Sequence, residues 1–154
     1  MVHSFRRIGI ARPILRALVL AAIVSPGGLH AEAVEQALIA TMRSMGAAMT
    51  EIDKFTKGHE GAPPAESARK VVMLARSIPG IFPPGSELDE LPSKFGTAAS
   101  TWDDYERFLD AQKKLAVEAS KLFAITGTGD RDAVARQMTM TRQACGACHE
   151  TFRN

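Results

Sequence analysis

The sequence predicts an all-α protein folded as an antiparallel up-down-up-down four-helix bundle, and three observations carry that prediction. Four stretches repeat their apolar residues in alternating steps of four and three, the signature of helices with one buried face. No stretch alternates apolar and polar residues with period two, so strands are not expected. Two short connections and one longer one join the four stretches, as neighbouring antiparallel helices require. A chain of 154 residues is long enough for one such domain with a single core.

The first 33 residues stand apart from the bundle. Arg6, Arg7, Arg12 and Arg16 make a positive start, Ala17 to Val24 is a short apolar run, Ser25-Pro26-Gly27-Gly28 is expected to break it, and Ala31-Glu32-Ala33 offers a small-residue exit. That order predicts a secretory signal peptide over residues 1–33, cleaved after Ala31 or Ala33, and a folded domain over residues 34–154. The apolar run is well short of the roughly 20 residues that cross a bilayer. No later segment is apolar enough to span, so the sequence predicts an exported product with no stable membrane anchor.

The four helices follow in order. From Val34 to Lys57 the stripe is Leu38, Met42, Met45, Met49 and Ile52; Gly58 is expected to end this helix, and Gly61-Ala62-Pro63-Pro64 to connect it onward. Ala65 to Ile78 forms a second helix on Ala68, Val71, Val72, Ala75 and Ile78, with Pro79-Gly80 as its expected stop. Ile81 to Ser100, interrupted by Pro83, Pro84, Gly85 and Pro92, reads as a long, mostly irregular loop. Ser100 or Thr101 is expected to cap the third helix, with Asp103 and Asp104 at its positive end, a stripe of Tyr105, Phe108, Leu109, Leu115, Ala119 and Leu122, and Gly127 as its close. Asp130 caps the fourth, whose stripe is Val134, Met138, Thr141, Cys145, Cys148 and Phe152.

Charge excludes one class of partner. Removing residues 1–33 takes four Arg and one Glu from 19 basic and 17 acidic side chains, leaving 15 against 16. Nothing in the remainder forms the basic stripe that neutralises phosphates, so nucleic acid is not expected as a partner.

Two cysteines in an export-bound chain are too few for a disulfide scaffold, so these thiols have another use. They stand in Cys145-Gly146-Ala147-Cys148-His149. Thiols at i and i+3 of a helix point the same way, which lets them add to the two vinyl groups along one edge of a porphyrin. His149, directly after the second thiol, can turn its imidazole toward the iron, and the two small residues between the cysteines let the helix lie close to the ring. A Cys-x-x-Cys-His run is a haem attachment signature, and it predicts one covalent haem c with His149 as an axial iron ligand. Zinc would need four ligands, and with His3 and His30 in or beside the leader only His59 remains. A thioredoxin-like redox pair would accompany a βαβ pattern, which is absent. Both cysteines fall on the core-facing stripe, so the haem is expected in the bundle interior near the C-terminus.

With these residues in view, the chain resembles the class II c-type cytochromes, meaning cytochrome c-prime and its low-spin relatives, over essentially the whole of residues 34–154. The resemblance rests on Cys145-Gly146-Ala147-Cys148-His149-Glu150-Thr151-Phe152-Arg153, on Lys57-Gly58 closing the first helix, on Phe82-Pro83-Pro84-Gly85-Ser86 in the long loop, and on Trp102 opening the third helix. It implies a bacterial periplasmic four-helix haem protein with electron-transfer or gas-binding roles, in a family where homodimers through the first two helices are frequent. Arg153 matches the Arg that the family places four residues after the haem histidine, and is carried over as a cofactor-binding residue.

The family divides on the sixth iron position, which a first-helix residue blocks in some members and a methionine occupies in others. Counting back from Lys57-Gly58 puts that position on Met42. Bundle geometry agrees: helix one runs antiparallel to helix four, and Met42 lies about 12 Å into helix one, with Met49 about 10 Å further along. Met45 is a second candidate, Met45 and Met49 both serve as ordinary core filler on the same stripe, and an open or merely blocked iron is the remaining alternative. Leu38 stands where members often carry a basic residue near the haem propionates, which leaves Arg43 as the candidate for that contact. His59 follows the helix-ending Gly58, far from the level of His149, and reads as a surface histidine; Trp102, Phe82 and Phe95 read as packing around the long loop.

The resulting expectation is a periplasmic electron-transfer cytochrome with His149 and Met42 on the iron, cycling between ferric and ferrous states and exchanging electrons with redox partner proteins. The alternative is a five-coordinate protein that binds nitric oxide or carbon monoxide. Leu38, Met42, Met45 and Met49 include no acid or base to assist bond cleavage, so no enzyme is expected.

Overall fold

The computed structural model describes residues 26–81 and 104–153, with side chains from residue 33 onward except Glu35. It contains four helices and, among the described residues, no strand: α1 (Pro26–Thr56), α2 (Ala65–Ile81), α3 (Tyr105–Thr126) and α4 (Arg131–Phe152). Each helix packs along the next, and α4 returns to α1 to close the ring. The directions alternate as predicted. Along α3 and α4, Phe108 meets Phe152 while Glu118 meets Gln137; along α1 and α4, Asp53 meets Arg142 while His59 meets Arg131.

Three helix boundaries differ from the sequence expectation. α1 is already helical from Pro26, the first described residue, rather than from Val34, so Pro26-Gly27-Gly28 lie within a helix. Ala31-Glu32-Ala33 lie within α1, whereas the arginines and the apolar run of residues 6–24 lie outside the described residues.

α2 passes through Pro79 and Gly80 to Ile81 instead of stopping at Pro79. A proline within a helix deprives the carbonyl four residues back of its donor. That carbonyl is Ala75 O, and the buried Gln112 side chain of α3 donates to it at 2.7 Å. A neighbouring helix thus supplies the hydrogen bond that Pro79 removes, and the helix can continue for its last turn.

α3 begins at Tyr105 with Asp104 as its cap, not Ser100 or Thr101; the Asp104 carboxylate accepts from the Arg107 N–H at 3.1 Å. Ser100, Thr101, Trp102 and Asp103, with Phe82, Phe95 and the rest of the long loop, lie outside the described residues. The remaining termini follow the sequence. The Gly58 N–H donates to Phe55 O and the His59 N–H to Lys54 O, the paired bonds of a Schellman stop, with Gly58 at φ +85° where a Cβ would be strained. Asp130 caps α4 by accepting from the Ala133 N–H at 3.0 Å.

The core is the four stripes facing one another. Met45, Met49 and Ile52 of α1, Ala68, Val71, Val72, Ala75 and Ile78 of α2, Phe108, Leu115, Ala119 and Leu122 of α3, and Val134, Met138 and Phe152 of α4 are buried. Thr126 and Thr141 are buried too, each donating its hydroxyl to a carbonyl one turn back, which lets a polar side chain sit in an apolar layer. Cys145 and Cys148 of α4 pack at the edge of this core.

Candidate haem site

Cys145, Cys148 and His149 occupy the last turns of α4. The stripe that is fully covered at Val134, Met138 and Thr141 becomes partly exposed at Ala144, Cys145 and Cys148, and is covered again at Phe152. The two cysteines still pack against the core and are not joined in a disulfide. Burial pushes both thiols above the ordinary cysteine range, with the proximity of Cys145 adding to the effect on Cys148. Both therefore keep their protons near neutral pH, as addition of S–H across a carbon–carbon double bond requires. A Cβ placed on Gly146, between them, would meet nothing within 4 Å, so no neighbouring side chain crowds this flank of α4.

His149 is partly buried, and its imidazole is held below the usual histidine range, first by desolvation and then by the charge of Arg153. The neutral ring that results is the form that ligates a metal. Arg153 caps α4, its backbone N–H donating to the His149 carbonyl at 3.1 Å, while its side chain is exposed. Two protonated thiols one turn apart, a neutral imidazole and an apolar surround form a donor set that fits a covalently held haem.

Contacts across the α1–α4 seam give the level of His149 on the facing helix. Arg142 meets Asp53 at 2.8 Å; seven residues on along α4 is His149, and seven residues back along α1 is Gly46. Arg131 donates to the carbonyls of Phe55 and His59; eighteen residues on is again His149, and eighteen back falls on residues 37 to 41. The interval from residue 37 to residue 46 contains Leu38, Met42, Arg43 and Met45, with Met42 at its middle, and excludes Met49. Within it, Met45 is 5% exposed and committed to the core, whereas Leu38 and Met42 are partly exposed and pack on the core's edge, and Arg43 is exposed. His59 lies at the opposite end, exposed, about 27 Å from the level of His149 by helix rise.

Four residues important to this arrangement were not singled out from the sequence. Asp53 and Arg142 form the ion pair that joins α1 to α4, and Lys57 also pairs with Asp53 at 2.6 Å. Arg131 grips the end of α1 through two carbonyls and by lying 4.3 Å over the Phe55 ring. Gln112 had a legible signal, since it fills the gap in the third helix's stripe between Phe108 and Leu115 at helical spacing. The charged residues had none, because salt-bridge partners on different helices leave no mark on periodicity.

Among the described residues no helix is long and apolar enough to cross a membrane, and no three His, Cys, Asp or Glu side chains gather as a metal cluster of the zinc kind. Comparison with known proteins completes the site's context. The family model described as Cytochrome C' matches residues 34–153. The chain is 30% identical over 110 residues to cytochrome c-556 of Agrobacterium fabrum, covering 71% of this chain and 70% of that protein. Its fold is similar to that of cytochrome c' from Thermochromatium tepidum, with a TM-score of 0.67 at 23% identity, covering 86% of this chain and 98% of the other. It is likewise similar to a variant of cytochrome c prime from Alcaligenes xylosoxidans solved as a nitric oxide complex, with a TM-score of 0.67 at 20% identity over 80% of this chain and 95% of that one. A four-helix bundle with a Cys-x-x-Cys-His run on the inner face of its last helix, matched by the family model over its whole described domain, belongs to the cytochrome c′ family of class II c-type cytochromes, which carry covalently bound haem c.

Proposed function

We propose that this protein is a periplasmic electron-transfer cytochrome whose single haem is bonded to Cys145 and Cys148 and ligated by His149 on one face and Met42 on the other. The observation that supports the reading is the level and exposure of Met42: it falls midway in residues 37 to 46, the stretch of α1 that counts level with His149, and is partly exposed at the edge of the core. Bound haem supplies a one-electron ferric/ferrous couple whose potential depends on the axial ligands and on the dryness of the site. The chain's own residues hold and tune it. The two thiols would hold the ring's edge, the neutral imidazole of His149 would donate one lone pair to the iron, and Arg153 places a cation beside that histidine. Leu38, Met42 and Met45 offer an apolar distal side with no proton donor, which suits outer-sphere electron exchange and gives bond cleavage no help, so an enzymatic role is not proposed. Export follows from residues 1–33, with cleavage after Ala31 or Ala33.

A second reading has one observation in its favour. The fold is shared with a cytochrome c prime variant solved as a nitric oxide complex, and Met42 is not buried as tightly as Met45, so a displaceable or absent sixth ligand would make this a nitric oxide or carbon monoxide binder. Absorption spectra of the purified protein in both oxidation states separate the two. Low-spin ferric iron with the weak near-infrared sulfur charge-transfer band is expected; a high-spin spectrum moves the assignment to gas binding. Acid-acetone extraction checks the attachment: haem stays with the polypeptide, and a mass equal to the bare chain would overturn the role given to Cys145 and Cys148.

A further inference from the structure

A second surface feature lies away from the haem site, on the outer face of the bundle between α2 and α3. A groove of about 600 Å³ is lined there by Arg76, Gln112, Lys113, Ala116, Val117, Ser120 and Lys121. Its rim is cationic and none of its lining residues is acidic. Arg76 reaches across it, donating to the Ser120 hydroxyl at 3.3 Å, and has no carboxylate partner among the described residues. Lys113 and Lys121 pair with Asp110 and Glu118 of their own helix, but both lysines are more than half exposed, and such pairs are worth little in water. The apolar part of the lining is Ala116 and Val117, and Val117 is 52% exposed. The charge is regional. α2 and α3 together carry seven basic and four acidic side chains, whereas α1 carries two basic and four acidic.

The groove is also placed at a useful depth. Thr141 of α4 donates to the Glu118 carbonyl, and Phe152 meets Phe108, so Cys145 lies level with residues 114 to 115 of α3. The groove therefore opens at the level of the haem-attachment cysteines, and its lining residues Gln112 and Ala116 adjoin the core directly.

We infer that this groove is the docking surface for an acidic one-electron carrier protein, which presents carboxylates to Arg76, Lys113 and Lys121 and seats an apolar side chain on Val117. This rests on the electron-transfer reading given above. A cationic rim around a small apolar centre speeds encounter by charge and releases quickly, as brief redox complexes need. Charge selects this occupant over a second copy of the chain: a two-fold contact through this face would set Arg76, Lys113 and Lys121 against their own counterparts, whereas an acidic carrier pairs with all three.

The test uses the haem-loaded protein and, as probe, a [2Fe–2S] ferredoxin of net negative charge. Binding is measured by calorimetry at low and high salt, and the contact is mapped by carbodiimide cross-linking of lysine to carboxylate followed by peptide mass spectrometry. Cross-links at Lys113 and Lys121 are expected, with affinity falling steeply as salt rises. Arg76→Glu with Lys121→Glu should weaken binding about tenfold or more, while Lys54→Glu with Arg136→Glu, the same change of charge placed elsewhere, should do much less. Val117→Asp should weaken binding with absorption spectrum and Tm unchanged. Cross-links confined to other helices, equal weakening by the two charge-reversal pairs, or self-association through α2 and α3 would overturn the inference. Stopped-flow reduction separates it from the reading beneath. A carrier that docks in the groove but reduces no iron refutes electron transfer and leaves the docking surface standing; reduction that is indifferent to Arg76 and Lys121 refutes the docking surface alone.

Discussion

Replacing Met42 and Met45 by alanine, one at a time, separates a ligand from a core side chain by two measurements that move in opposite senses. Met45 is 5% exposed, inside the cluster that includes Met49, Ile52 and Val34. Truncating a fully buried methionine removes its transfer free energy and leaves a cavity, about 2–5 kcal/mol in total. For a domain of this size that is a fall in Tm on the order of 10 °C, and the spectrum should stay low-spin because no iron bond is lost. Met42 is partly exposed at the edge of the same cluster, so its packing loss is smaller than that of Met45. Its spectrum should nevertheless change completely, to high-spin ferric iron without the near-infrared band. Loss of the thioether also removes the ligand that favours ferrous iron, so the potential should fall, and carbon monoxide and nitric oxide should bind where they did not before. The assays are visible and near-infrared absorption, a spectroelectrochemical titration and calorimetric melting on the same three samples. An unchanged spectrum in Met42→Ala, or a spin change in Met45→Ala with none in Met42→Ala, would refute the placement of Met42 opposite His149.

Three further predictions concern the frame around that site. Gln112→Leu should cost about 1–3 kcal/mol by leaving the Ala75 carbonyl unpaired in the core, and Pro79→Ala, which restores a backbone donor, should recover part of the loss; a strictly additive double-mutant cycle would show that the amide does not stand in for the missing N–H. Asp53 is held below the ordinary carboxylate value of 3.8 by hydrogen bonds from Lys57 and Arg142; its folded pKa is depressed, so its contribution is present above pH 3.8 and is lost as pH falls below that value through the folded one. Asp53→Asn should therefore flatten the acid limb of an unfolding-versus-pH curve in that window, and an unchanged limb would show that the pair joining α1 to α4 adds nothing. N-terminal sequencing of periplasmic protein should begin at Glu32 or Val34, and a haem-loaded product starting at Met1 or Val2 would refute cleavage.

What could be read from the chain followed one rule: where a local pattern suffices, sequence is enough. Met45, Met49 and Ile52, like Val134 and Met138, fall on the inner face of their helices because helical spacing puts them there. Asp130 and Gly58 mark helix ends because a cap needs only the next few backbone groups. Pro79 shows the rule's limit. Proline disrupts a helix by removing a hydrogen bond, so it stops one only if nothing else makes that bond, and Gln112, thirty-three positions on in the sequence, makes it.

The haem motif and the four apolar stripes were legible in the sequence alone, since each is a spacing of a few residues along one helix. Tertiary structure decided everything that depends on two helices at once. It set the register of α1 against α4, through Asp53 with Arg142 and Arg131 with the carbonyls of Phe55 and His59, and so which stretch of α1 counts level with His149. It decided that Met45 is enclosed while Met42 stays at the core's edge, although the two share a stripe. It brought Arg76 of α2 to Ser120 of α3, making a cationic groove from residues that sequence spacing treats as two unrelated solvated faces. The physical reason is the same in each case. Periodicity fixes which way a side chain leaves its own helix, but axial offset between helices comes from the sum of packing and polar contacts across their seam, and no single chain segment carries that sum.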